Sequence, residues 1–155
     1  MTRGEARLLF DKWGRTNETC LSLQRDIDEK KTMIESLAGV KAYCMNGMPH
    51  GSGVSNPTEQ AALRLEEAQR DFGQIVEEKT AQMKEALRFQ KEIDELLQTF
   101  PQTVRWITEL RYRNGYPFEI IAKRTRLDSC YCRQLDMRAC DLLRNHFTDK
   151  ELQKN

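Results

Sequence analysis

Apolar positions along the first hundred residues fall on two long stripes separated by a polar, glycine-rich gap. Leu9, Trp13, Thr16, Cys20, Leu23, Ile27, Lys30, Ile34 and Leu37 recur at alternating steps of four and three, the spacing that keeps one seam on one side of a helix. This pattern predicts a helix from about Thr2 to about Tyr43. Ala68, Phe72, Ile75, Lys79, Gln82, Ala86, Phe89, Ile93, Leu96 and Phe100 repeat the rhythm. Asn56, Pro57 and Glu59 mark the start of that second helix as a cap, a first helical residue and a capping-box carboxylate. Neither stripe is stable alone in water, so the pair predicts an antiparallel, coiled-coil-like helical hairpin over residues 1–100, with a connecting loop at 46–57. Lys30, Lys79 and Gln82 interrupt the seams, and polar residues at such positions set register or oligomeric state at some cost in stability. A homo-oligomer formed through the hairpin is expected.

The rhythm changes after Phe100-Pro101, where proline disfavours helix in the residue before it. From there the predicted helices are short and tightly joined. Val104, Ile107, Leu110 and Tyr112 suggest one helix, ended by a left-handed glycine at Asn114-Gly115. Pro117 opens a second, containing Ile120, Ile121 and Ala122, and Asp128 caps a third whose inward face is Cys132, Leu135, Ala139, Leu142 and Leu143. Residues 101–148 are expected as one unit and 149–155 as a tail. The predicted fold class is all-α.

Charge sharpens this division. Residues 1–100 hold 14 Lys and Arg against 17 Asp and Glu, whereas residues 101–155 hold 11 against 7, so the net +1 of the chain hides a basic C-terminal third. That end is a candidate for binding a polyanion. No stretch approaches the roughly 20 apolar residues of a membrane helix, and MTRGEARLLF lacks the apolar centre of a signal peptide. A cytoplasmic protein without membrane contact is expected. Cys20, Cys44, Cys130, Cys132 and Cys140 are an odd number, and in a reducing compartment they are read as thiols.

The short C-terminal helices have what a helix-turn-helix requires: a small residue at the crossing (Ala122), a turn plug (Leu127) and inward Cys132 and Leu135. Ser129, Cys130, Arg133, Gln134 and Met137 are then left on the outer face of the second helix. Arg and Gln suit guanine and adenine edges through paired hydrogen bonds. Arg105, Arg111, Arg113, Lys123, Arg124, Arg126 and Arg138 surround the unit and are candidates for phosphate contacts.

LRYRNGYPFEIIAKRTRLDSCYCRQLDMRACDLL resembles region four of bacterial sigma factors in its LRY opening, its EIIA core, its Arg-Gln pair and its later Arg-Ala before Leu-Leu. The chain is also similar to a family of short phage and prophage proteins of Gram-positive bacteria. These are sigma-like transcriptional regulators of a domain-of-unknown-function type, with a loop close to the Gly47–Pro57 run GMPHGSGVSNP. The resemblance implies regulation of phage or prophage genes in the bacterial host cell, with double-stranded DNA as ligand. It also implies a base-reading helix carrying Ser129, Cys130, Tyr131, Arg133 and Gln134. Host RNA polymerase is expected as a further partner, and an assembly or polymerase-docking role through protein contacts is the alternative. Thr125, Arg126 and Cys132 depart from the pattern, standing where leucine, a turn glycine and a core valine are usual.

Other chemistry is weaker. Cys130 and Cys132 on one helix point about 200 degrees apart and cannot share a zinc ion, so with Cys140 and His146 they form no expected metal site, and Cys132 and Cys140 are read as small core residues. The glycines near His50 lack the lysine of a nucleotide-binding loop and read as a connection or a partner-binding tip. No nucleophile motif is present, Glu66-Glu67 and Glu77-Glu78 read as solvated surface, and neither an enzyme nor a cofactor is expected.

Overall fold

The computed structural model describes residues 1–46 and 57–152, with side chains described for 1–39 and 62–149. Residues 47–56 of the expected 46–57 loop, Asn56 among them, and the side chain of Glu59 lie outside the described residues. Among those described the chain is all-helical. It has six α-helices, α1 (Arg3–Gly14), α2 (Thr16–Asn46), α3 (Pro57–Gln98), α4 (Gln102–Thr108), α5 (Phe118–Thr125) and α6 (Ser129–Leu152), with a π-helical turn at Glu109–Arg113 after α4. No helix among them is long and apolar enough to cross a membrane.

Helix α1 starts at a reciprocal cap. Thr2 Oγ1 accepts from the Glu5 N–H at 3.2 Å, and Glu5 Oε2 accepts from the Thr2 N–H at 2.7 Å, satisfying two donors left free at a helix start. The single helix expected from Thr2 to Tyr43 is broken at Arg15, whose ψ of 2° departs from helical geometry. The break adjoins Gly14. A Cβ there would stand 2.0 Å from the Tyr112 carbonyl oxygen, so two backbones meet where only glycine fits.

The chain divides into two compact units, Met1–Thr19 with Ala86–Asn155, and Cys20–Glu85. In the first, Ala6, Phe10 and Trp13 of α1 join Ile93, Leu96, Leu97 and Phe100, Val104 and Ile107, Ile121, and Cys132, Leu135, Ala139, Cys140 and Leu143 in one core. Helix α1 and the end of α3 thus share a core with the short C-terminal helices. Physical necessity favours this, because a unit of residues 101–148 alone is at the size where burial barely offsets chain entropy. Polar contacts reinforce the packing. Asp94 accepts from Trp13 Nε1 at 3.0 Å and from Arg113 at 2.8 and 3.1 Å, and the Arg113 guanidinium stands 4.5 Å from the Trp13 ring. Lys12 lies over Phe89 at 4.9 Å.

In the second unit the seam residues Leu23, Ile34, Leu37, Ala68, Phe72 and Ile75 are half-buried and Ile27 is buried. The polar interruptions have distinct fates. Lys79 donates to Asp26 at 2.5 Å, and Lys30 lies 5.5 Å from the Phe72 ring centre. Gln82, expected within the seam, is exposed, and the apolar thioether of Met83 next to it is half-buried instead.

The break at Phe100-Pro101 occurs as predicted, with Pro101 at the cap of α4. The π-helical turn that follows has no local signal in the sequence. The buried Thr108 hydroxyl donates to the Val104 carbonyl at 2.9 Å as the turn begins. Gly115 takes φ +68°, and the Tyr116 N–H reaches back to the Leu110 carbonyl at 3.1 Å, the left-handed cap expected there. Helix α6 continues to Leu152, beyond the expected start of a tail at 149, and residues 153–155 lie outside the described residues.

Candidate nucleic-acid interface

Helix α5 ends at Arg126, which adopts φ 57° and ψ 30°, the left-handed region that glycine fills at no steric cost. It is the one non-glycine residue with positive φ among the described residues. The next residues start α6: Leu127 is half-buried in the turn, and Asp128 Oδ1 accepts from the N–H groups of Cys130 and Tyr131 at 2.7 and 3.4 Å. Thr125 bonds back to the Ile121 carbonyl at 2.8 Å, and its hydroxyl stands 4.0 Å from Cys132 Sγ. Thr125 and Cys132 therefore touch across the turn between α5 and α6.

Helix α6 is divided lengthwise. Cys132 is 0% exposed, and Leu135, Asp136, Ala139, Cys140 and Leu143 are buried with it. On the other side Cys130, Tyr131, Gln134 and Arg138 are exposed, and the Arg133 side chain is 59% exposed. Ser129 and Met137 are half-buried at the border. The Arg133 guanidinium donates to Glu119 at 3.3 Å and lies 5.7 Å from the Phe118 ring, which holds its fork beside the start of α5.

The arginines and lysine expected around this face differ in availability. Arg105 donates to Gln98 at 2.8 Å, Arg111 donates to the Tyr116 carbonyl at 3.2 Å and lies over Phe118, and Arg113 is held by Asp94. These three fasten the fold. Arg124 lies 4.5 Å from the Tyr116 ring. Lys123, Arg126 and Arg138 are exposed.

Two features escaped the sequence reading. Asp136, 2% exposed, sits on the buried stripe, where it accepts from the Tyr112 hydroxyl at 2.8 Å and from Arg7 at 3.4 Å. Its position four residues after Cys132 and before Cys140 was the available signal. Burial, then the Asp136 carboxylate, pushes the Tyr112 phenol well above its usual range. The Cys140 thiol is pushed up to about 11, first by burial and then by Asp136. Second, Arg3 bonds both oxygens of Asp141 at 2.8 and 2.7 Å, and Arg144 bonds the Met1 carbonyl at 2.9 Å and Asp141 at 3.1 Å. The hydrogen bond from Arg3 is the largest influence holding the Asp141 carboxyl below its ordinary value. No local pattern announces a contact across most of the chain.

Cys130 faces solvent while Cys132 and Cys140 are buried, and no group of three or more metal-ligating side chains occurs among the described residues. Beside the turn, a pocket of about 520 Å³ is lined by Gln102, Thr103, Arg105, Trp106, Glu109, Thr125 and Leu127. Compared with protein-family models, curated proteins and solved structures, the chain matches none.

Proposed function

We propose that the chain is a sequence-specific DNA-binding transcriptional regulator of phage or prophage genes, sigma-factor-like, acting in the bacterial cytoplasm. In this reading α5, the Arg126 turn and α6 work as a helix-turn-helix, with α6 in the major groove. The observation that carries it is the division of α6. Cys132 and Leu135 are buried while Arg133 and Gln134, between them, face solvent beside exposed Lys123, Arg126 and Arg138. An arginine and a glutamine on one exposed helical face are matched to guanine and adenine edges, and the surrounding cations to phosphates. Ser129, Cys130, Tyr131 and Met137 complete the reading face, and the resemblance to sigma region four supplies the biological setting. The contacts of Asp26 with Lys79 and Lys30 with Phe72 support a helical hairpin through α2 and α3, which we assign to self-association.

Replacing Arg133 and Gln134 together by alanine is expected to remove about 1–3 kcal/mol of discrimination for each paired contact and to leave helicity unchanged. The affinity ratio between a preferred duplex and bulk DNA, measured beside circular dichroism, checks this. A ratio unchanged by the double substitution would show that α6 does not read bases.

A second reading has one observation in its favour. Trp106 is 46% exposed at the pocket beside the turn, a place where a protein such as RNA polymerase or a phage assembly component would dock. Binding to mixed duplex DNA that weakens steeply with salt favours the first reading. Absence of DNA affinity at low salt favours the second.

A further inference from the structure

The border of the exposed side of α6 continues past the half-buried Met137. Residues four, four and three apart share one side of a helix, so Arg133, Met137, Asp141 and Arg144 form one row. At the far end of that row the start of α1 lies against it. Arg3 grips both carboxylate oxygens of Asp141, while Arg144 bonds the same carboxylate and the Met1 carbonyl. Two guanidinium groups share one carboxylate, so the cluster keeps one net positive charge. Both side chains remain accessible, Arg3 at 54% and Arg144 at 40%. Glu5, the next carboxylate along α1, accepts from the Thr2 N–H.

At 1.5 Å rise per residue, Asp141 and Arg144 lie roughly 10 and 15 Å along the axis from Gln134. A helix whose first turns enter a major groove about 12 Å wide brings its later turns to the flanking phosphates. An arginine already held by a carboxylate has given up part of its rotamer freedom before a phosphate arrives, and its fork still has N–H donors to offer.

We propose that Arg3 and Arg144, bridged by Asp141, form a phosphate clamp that grips the DNA backbone beside the bases read by α6, making α1 part of the DNA-binding surface. The inference rests on the assignment of α6 as the reading helix and adds a contact from the opposite end of the chain.

The test is the dependence of duplex-DNA affinity on salt for the full chain and for Arg3→Ala, Arg144→Ala and Arg3→Lys, with circular dichroism as a check on folding. Each alanine variant is expected to weaken binding to all sequences alike and to reduce the slope of log affinity against log salt by about 0.9, the value of one lost phosphate contact. Arg3→Lys is expected to keep the slope, because the charge remains. Alanine variants with an unchanged slope, whether or not affinity falls, overturn the clamp, as does an Arg3→Lys slope as low as that of Arg3→Ala. A wild-type chain that shows no salt-dependent binding of duplex DNA overturns the reading of α6 instead, and that outcome is visible without any variant.

Discussion

Arg126 and Gly14 each occupy a backbone position that glycine suits, but only one of them is glycine. Arg126 holds a left-handed conformation that costs an ordinary side chain about 1–2 kcal/mol. Arg126→Gly is therefore expected to raise stability to urea by about 1 kcal/mol while weakening DNA binding through the lost cation, two effects of opposite sign from one substitution. A stability unchanged or lowered would show that the arginine side chain supports the turn. Gly14→Ala works in the other direction. Its new methyl would meet the Tyr112 carbonyl at 2.0 Å, against backbone that cannot swing away as a side chain would, and should cost about 3 kcal/mol, read as a fall in the urea midpoint. The cysteines divide in the same concrete way. Cys130 is exposed at the start of α6, whereas Cys132 and Cys140 are buried and the Cys140 thiol titrates at about 11. An alkylating reagent at neutral pH should modify Cys130 well before the other two, as mass spectrometry of the labelled peptides would reveal.

At the scale of elements, α6 was legible, whereas of α1 only the start near Thr2 was. The spacing of Cys132, Leu135, Ala139 and Leu143 identified the buried stripe because helix periodicity is a local property. Asp128 and Gly115 were readable for the same reason, since a cap and a left-handed turn depend on the few residues around them. Asp136 was missed because an aspartate is ordinarily exposed, and only Tyr112 and Arg7, brought in from other elements, make its burial tolerable. The close approach of Gly14 to the Tyr112 backbone, beside the break at Arg15, was missed for a related reason: its partner lies far along the chain. The link between α1 and α6 has a pH signature. Asp141 titrates below its ordinary 3.8 when folded, so its contribution is complete above pH 3.8 and disappears as pH falls through the lower folded value. Amide exchange in the first turn of α1 should therefore be insensitive to this group at pH 5 and accelerate, beyond the intrinsic rate, only in strongly acidic solution.

For the whole molecule, the uneven distribution of charge and the two compact units belong together. The unit containing α6 includes the basic C-terminal third, and its core is completed by α1 and the end of α3. A truncated chain beginning at residue 101 would lose Phe10, Trp13, Ile93 and Leu97 from that core and is expected to be largely unfolded by circular dichroism. Sequence patterning gave a boundary there because the spacing of apolar residues changes at Pro101, whereas cores are assembled from whatever the chain brings back. The central claim is that α6 reads base pairs, and selection of bound duplexes from a random-sequence pool at near-physiological salt tests it most directly. Enrichment of one short motif containing guanine and adenine positions is expected, relaxed at a single position when Arg133 is replaced by alanine. Successive rounds that leave the pool unenriched, with the folded chain present throughout, would contradict it.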